Sequence, residues 1–220
     1  MLHCRTRLTL LAFALLIPAA FSPGIVHAVS LEELLADPSN GLQVGDKFFD
    51  QFTYSWTGDM PAASDVMIEP ITNDPPAYGI KVLGDFRDEP GNNASDAVLR
   101  YRVTVTDPNF QIIGARIAGD PEVSGGSGAA SVTETFLSSQ GDLLAIFKIE
   151  PGQVQTEDMI AFANAVVQLE VQKDIFADAS DGQLASISFI DQKFPQVPEP
   201  SALLLLSVGM VGLVFTRVRR

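Results

Sequence analysis

The stretch LRYRVTVT, Leu99–Thr106, alternates apolar and polar side chains without interruption. Successive side chains of a strand point to opposite faces of a sheet, so this period of two predicts a strand with one buried and one solvated face. Similar alternation recurs at 52–56, 167–172 and 185–189. Strands that are buried on one side only are typical of antiparallel sheets, so these segments favour an antiparallel architecture.

The rest of the segment Val29 to Phe194 also reads mainly as short strands separated by turns rich in Pro, Gly, Asn and Asp. Weaker strand patterns lie at 66–71, 78–83, 110–117, 130–136 and 143–149. Ser30 to Glu33 has the form of a capping box, which predicts a short helix through about Asp37. Residues 156–167 fit either a helical turn or a loop. The prediction is one all-β domain at 29–194, an antiparallel two-sheet β-sandwich of jelly-roll or Ig-like type.

The N-terminus has the form of a secretory signal peptide at 1–28. Arg5 and Arg7 precede an apolar stretch at 8–17, and Val26-His27-Ala28 places compact residues before a predicted cleavage site after Ala28. The apolar stretch is too short to span the ~30 Å hydrocarbon layer of a bilayer. We therefore expect export by the Sec machinery and removal of the signal.

The C-terminus combines an uncharged apolar segment with a cluster of cations. Ser201 to Thr216 would extend about 24 Å as a helix, and the long side chains of Arg217, Arg219 and Arg220 can reach the interface to make up the remaining thickness. The positive-inside rule places these arginines in the cytoplasm. The sequence thus predicts a transmembrane helix at 201–216 that holds the preceding domain on the side of the membrane opposite the cytoplasm.

Between the domain and this helix lies Pro195-Gln196-Val197-Pro198-Glu199-Pro200. Each proline fixes its own φ and restricts the residue before it, so the segment is predicted to be extended and accessible at the membrane surface. Proteases and transpeptidases need an extended substrate backbone. On these residues alone, a processing site and a plain juxtamembrane spacer are equally consistent.

The proline segment, the apolar helix and the arginine cluster, taken in this order, resemble the PEP-CTERM sorting signal of Gram-negative bacteria, here at 195–220. The resemblance implies processing near Pro198, Glu199 and Pro200 by exosortase, a membrane-embedded cysteine transpeptidase. These three residues would then be a recognition element in a substrate, and no catalytic residue is assigned to the chain. The resemblance also implies delivery to the cell surface or to the exopolysaccharide matrix.

Two compositional features restrict the function of the exported part. His3, His27 and Cys4 all lie in the predicted signal, so the mature chain lacks the residues for a Ser-His-Asp or Cys-His nucleophile and for imidazole or thiolate metal sites. All 27 acidic residues lie between Glu32 and Glu199, where there are nine basic ones, a net charge of −18. A surface this acidic argues against nucleic acid as a partner.

Oxygen ligands concentrate around Pro90-Gly91. Asp88, Glu89, Asn92 and Asp96 are the candidate ligands of a calcium ion, which takes 6–8 oxygens, although their spacing is not that of an EF-hand. A solvated polar loop is the alternative interpretation, and no other cofactor is expected.

Arg100 and Arg102 share the polar face of their strand. They are expected either to contact an anionic sugar or to pair with acidic residues of neighbouring strands, such as Glu134 or Glu170.

The sequence thus predicts a non-catalytic exported protein of the cell surface or of an exopolysaccharide biofilm matrix, with exosortase as a transient partner. A carbohydrate-binding module, with or without calcium, is the alternative. A small glycoside hydrolase that uses paired carboxylates is a third hypothesis, because that chemistry needs neither His nor Cys.

Overall fold

The computed structural model describes residues 27–91, 93–124, 128–139, 143–149, 157–179 and 184–199; for 143–149 it gives the strand alone. The predicted signal peptide up to residue 26, the predicted membrane helix at 201–216 and Arg217, Arg219 and Arg220 lie outside these residues. The helices and strands are α1 (Leu31–Leu35), a 3-10 turn (Ala63–Asp65), β1 (Val29–Ser30), β2 (Gly41–Val44), β3 (Lys47–Thr57), β4 (Met67–Ile71), β5 (Gly79–Asp88), β6 (Ser95–Val105), β7 (Phe110–Gly119), β8 (Glu122–Val123), β9 (Ala129–Ser138), β10 (Leu143–Ile149), β11 (Glu157–Val166), β12 (Gln168–Asp178), β13 (Ala185–Lys193) and β14 (Gln196–Pro198).

The strands form two antiparallel sheets, as predicted. One sheet has the order β1-β4-β5-β13-β7-β11, with β8 beside β13 and β14 continuing along β7. The other, the six-stranded sheet, has the order β10-β9-β12-β6-β3-β2. The core lies between the two sheets.

The central strands pair in a nested manner. β5 pairs with β13, β6 with β12, β7 with β11 and β9 with β10, and these successive pairs lie alternately in the two sheets. Nested antiparallel strand pairs of this kind favour the jelly-roll alternative over the strand order of an Ig-like sandwich.

The side chains of β6 alternate between buried and more exposed positions, as predicted. Leu99, Tyr101, Val103 and Val105 are buried in the core, while Arg100 is exposed. Aromatic rings gather around Tyr101, with the Phe49 and Phe52 rings centred 6.1 Å and 5.5 Å from it. Burying a side chain of this size stabilises the fold by about 1.5–3 kcal/mol.

The short N-terminal helix is confirmed. The Glu33 backbone N–H donates to Ser30 Oγ at 3.2 Å, which satisfies one amide of the first turn, and Leu31 and Leu34 are buried. The helix ends at Leu35, slightly before the predicted end.

Residues 157–166, for which the sequence left a helical turn or a loop open, instead form β11. Among the described strands this one lies at the outer edge of its sheet, where it pairs with β7, and its register breaks between Ala161 and Val166. Because most of its side chains are exposed, its sequence lacks the alternation that marks the inner strands.

Candidate functional site

The outer face of the six-stranded sheet carries the polar half of the alternating pattern. Below these polar side chains, Tyr101 and Val171 point inwards and are buried in the core. On this face lies an open depression of about 340 Å³. The residues that line it are Gln51, Thr53, Arg100, Tyr101, Arg102, Leu137, Glu170, Val171 and Gln172.

A β-bulge in β3 shapes one wall of the depression. Asp50 lies opposite Arg102 and Thr53 opposite Arg100, so Gln51 and Phe52 together face Tyr101. Gln51 adopts φ 55°, a left-handed conformation that costs a non-glycine residue about 1–2 kcal/mol. The bulge keeps both Asp50 and Thr53 on the polar side, which an unbroken alternation would not allow.

Arg102 is held in place by two hydrogen bonds to one carboxylate. Its Nε donates to Asp50 Oδ1 at 2.8 Å and its Nη2 to Asp50 Oδ2 at 2.5 Å. With its carboxamide oxygen turned towards Arg102, Gln51 also accepts from Nη1 at 3.0 Å. The hydrogen bonds that Arg102 donates to Asp50 raise the pKa of Arg102, and the nearby charge of Glu170 acts in the same direction.

Arg100 is fixed by an amide on the next strand. Its Nε donates to Gln172 Oε1 at 2.8 Å, and Gln172 Nε2 donates in turn to Asp174 Oδ1 at 3.0 Å. The depression therefore presents donors and acceptors that are already oriented before a ligand arrives, and such preorganisation lowers the cost of binding.

The acidic partners of these arginines were predicted only in part. Glu170 is the cross-strand neighbour of Arg102 on the polar face, as expected. The prediction that Glu134 pairs with these arginines is wrong, because Glu134 points into the core and is fully buried. The sequence did not predict Asp50 as a partner of Arg102, because the alternation of apolar and polar residues does not reveal the β-bulge in β3.

The candidate calcium ligands lie in different surroundings. Asp88 is the last residue of β5 and is buried, where its Oδ1 accepts from Ser95 Oγ at 2.6 Å and its Oδ2 from the Ala179 N–H at 2.7 Å. Glu89 is exposed and pairs with Arg87 at 3.0 Å. Asp96 is an exposed residue of β6, whose pKa is raised by partial desolvation and by Asp174.

Asn92 lies outside the described residues. In the part of the chain that the structure describes, no group of three or more His, Cys, Asp or Glu side chains is arranged to hold a metal ion. Calcium binding at Asp88, Glu89, Asn92 and Asp96 thus stays a prediction, while the contacts of Asp88 give it a structural role.

Replacing Asp88 by alanine should lower the free energy of unfolding by about 3 kcal/mol. The change removes two hydrogen bonds to a charged acceptor and leaves the buried Ala179 N–H without a partner. Urea unfolding measures the loss. Asp85→Ala is the matched control, since Asp85 is exposed and pairs with Arg87 on the surface, where an ion pair is worth about 0–1 kcal/mol. Equal midpoints for the two variants would contradict the structural role of Asp88.

The proline segment begins as the last strand of the sandwich. Gln196, Val197 and Pro198 pair with the first residues of β7, and the Glu199 N–H donates to Asn109 O at 2.7 Å. The predicted extended conformation is therefore present, but its backbone is partly paired with β7. Pro198 fits here because an edge position does not require its missing N–H. Pro200 lies outside the described residues.

A buried lysine ties this strand to the other sheet. Lys47 Nζ of β3 donates to Gln196 Oε1 at 2.7 Å, and Gln196 Nε2 donates to Asp46 Oδ2 at 2.6 Å. Burial lowers the pKa of Lys47, mainly because its ammonium group loses its hydration. These contacts fix the point at which the chain leaves the domain. The sequence offered no signal for them, since the two segments lie far apart along the chain.

No helix within the described ranges is long and apolar enough to cross a membrane.

Comparison with known proteins gives one match in sequence and several weak ones in structure. No curated protein matches the chain. Similar solved structures include TmCBM61 in complex with β-1,4-galactotriose, at 13% identity over 66% of this chain and 88% of that one, with a TM-score of 0.31. Another is a DUF4465 family protein from Bacteroides caccae, at 11% identity over 79% of this chain and 100% of that one, with a TM-score of 0.30.

The match in sequence concerns the C-terminus. A family described as the PEP-CTERM protein-sorting motif matches residues 196–220, which start at β14 and include Pro198, Glu199, Pro200 and the three terminal arginines. The chain therefore carries a PEP-CTERM sorting signal, which implies an exported protein processed by exosortase.

Proposed function

We propose that this protein is a non-catalytic component of the cell surface or of its exopolysaccharide matrix, and that the depression on the six-stranded sheet binds neutral carbohydrate. The sorting signal supports the location. The single observation that carries the binding role is the row of polar side chains in the depression, formed by Arg100, Arg102, Glu170 and Gln172, in which hydrogen bonds fix the two arginines.

The charge of the depression favours a neutral ligand over an anionic one. Arg100 and Arg102 are balanced by Glu170 in the lining and by Asp50 directly beside it. What remains is a set of guanidinium, amide and carboxylate groups, which match pairs of sugar hydroxyls as donors and acceptors. This departs from the anionic sugar considered from the sequence, because Asp50 offsets the charge of Arg102.

The arrangement of carboxylates supports a binding role over hydrolysis. Glycosidases place two carboxyl groups about 5–9.5 Å apart on either side of the scissile bond. Among the described residues that line the depression, Glu170 is the one carboxylate. Asp50 has both oxygens occupied by Arg102, so it is poorly placed to serve as a proton donor or nucleophile.

A test is affinity electrophoresis of the full-length chain in detergent, through gels containing neutral or anionic polysaccharides. We expect retardation by a neutral polysaccharide, and a loss of at least tenfold in affinity for Arg100→Ala combined with Gln172→Ala. Removing two hydrogen-bonding groups at about 1 kcal/mol each corresponds to that factor or more.

Arg116→Ala is the control, because Arg116 pairs with Glu157 in the other sheet. Equal retardation of the double variant and the wild type would refute the assignment of the site. Release of reducing sugar by the wild type, abolished in Glu170→Gln, would refute the non-catalytic role.

A further inference from the structure

The interior of the sandwich contains a cluster of polar side chains that the binding role does not use. Lys173 on β12, Glu134 on β9 and Gln192 on β13 are all fully buried. Lys173 and Glu134 are cross-strand neighbours in the six-stranded sheet, whereas Gln192 reaches the cluster from the facing sheet. A lysine is almost never buried to this extent without a specific partner.

The amine of Lys173 contacts both of the other groups. Its Nζ donates to Gln192 Oε1 at 2.7 Å and also contacts the carboxyl group of Glu134. Gln192 Nε2 donates to the Arg116 carbonyl oxygen at 3.2 Å, which fixes the orientation of the carboxamide. The Tyr101 ring closes the site, with its centroid 5.9 Å from Nζ. An amine, a carboxamide and a carboxyl group are thus held together away from water.

Their surroundings favour a neutral amine. Burial lowers the pKa of Lys173 well below its ordinary value, because the ammonium form loses its hydration. Apart from the contact with Lys173, Glu134 accepts no hydrogen bond from the described residues that would stabilise its carboxylate. The proton that the pair shares can therefore reside on the carboxyl, which leaves the lysine nitrogen with a free electron pair, as in lysines that act as nucleophiles.

We propose that Lys173 and Gln192 form an intramolecular isopeptide bond, with Glu134 transferring the proton. Nζ attacks the Cδ carbon of Gln192, and a new N–C bond forms. Glu134 takes a proton from Nζ and passes a proton to Nε2 as the Cδ–Nε2 bond breaks. Ammonia leaves, a secondary amide remains, and the carboxyl group of Glu134 is regenerated. The step needs no oxidant, reductant or cofactor.

This bond would join one sheet to the other covalently. β12 belongs to the six-stranded sheet and β13 to the facing one, so the link would cross the core of the sandwich. A cross-link of this kind restricts the unfolded chain as a disulfide does. The mature chain has no cysteine with which to form one.

Peptide mapping of the full-length wild-type chain tests the bond without relying on a variant. Trypsin cuts after lysine and arginine, so an unmodified chain yields the separate peptides 149–173 and 174–193. We expect instead one peptide, 149–193, uncut after Lys173 and lighter than the linear sequence by one ammonia. A second digestion at aspartates between the two residues should give two chains that remain joined through Lys173 and Gln192.

Two variants separate the roles in the reaction. Glu134→Gln keeps the shape of the side chain but cannot transfer the proton, so cleavage after Lys173 and the full peptide mass should return. Lys81→Met is the control, since Lys81 pairs with Asp191 at the surface and should leave the bond intact. Cleavage after Lys173 in the wild type, with no loss of mass, would overturn the proposal. Loss of one water with a link to Glu134 would overturn the assignment of Gln192.

Discussion

Full-length protein should accumulate in the inner membrane when Pro198, Glu199 and Pro200 are all replaced by alanine. The sorting motif begins at Gln196. These three residues are its predicted recognition element, so we expect that exosortase no longer processes the chain. The apolar segment at 201–216 would then keep the protein in the membrane with its arginines inside. Immunoblots of membrane, periplasmic and extracellular fractions would measure the loss of the processed form, which we expect to be at least tenfold.

A truncation before Ser201 provides the comparison. It removes the apolar segment and the arginines but leaves β14 on β7, so it should release soluble protein into the periplasm. Secretion of the alanine variant at the mature size of the wild type would mean that the proline segment serves only as a spacer.

Lys173→Met alone should destabilise the domain by about 3–5 kcal/mol, because the buried carboxyl group of Glu134 would lose its polar partner and the proposed cross-link to Gln192 could not form. Combining Lys173→Met with Glu134→Leu should recover the part of this loss that comes from the unpaired carboxyl group, since replacing both partners of a buried polar pair by apolar side chains costs little. Chemical denaturation, read by fluorescence of Trp56, measures both changes.

The double variant also separates the contact between Lys173 and Glu134 from the proposed covalent bond. Any deficit that remains after the unpaired carboxyl group has been removed would come from the lost link between Lys173 and Gln192. Lys193→Met is the surface control, because Lys193 pairs with the half-exposed Asp74. A single variant as stable as this control would refute the prediction for Lys173.

Some of the candidate site was visible in the alternation. Arg100, Glu170 and Gln172 occupy polar positions of their strands, and the structure places all three on one outer face. Asp50 and Gln51 were not predictable, because the bulge that presents them depends on how β3 pairs with β6.

The sequence also contains a signal for the buried cluster of Lys173 and Glu134. In β12, Lys173 stands between Val171 and Ile175 on the apolar side of the alternation, and in β9 Glu134 holds the same place between Val132 and Phe136. A charged residue at an inward-facing position of a strand indicates that it has a buried polar partner. The sequence does not indicate which one, because Gln192 comes from a different sheet.

The sequence by itself determined the all-β class, the capped first helix and the sorting signal. Each of these depends on residues that are close along the chain: a period of two, a serine three residues before a glutamate, and a proline motif followed by apolar residues and arginines. Only the tertiary structure decided the nested strand order, the bulge beside Arg102, the docking of Gln196 against Lys47 and the meeting of Lys173 with Gln192. These features arise from contacts between distant segments, and such contacts form only when the two sheets close over a common core.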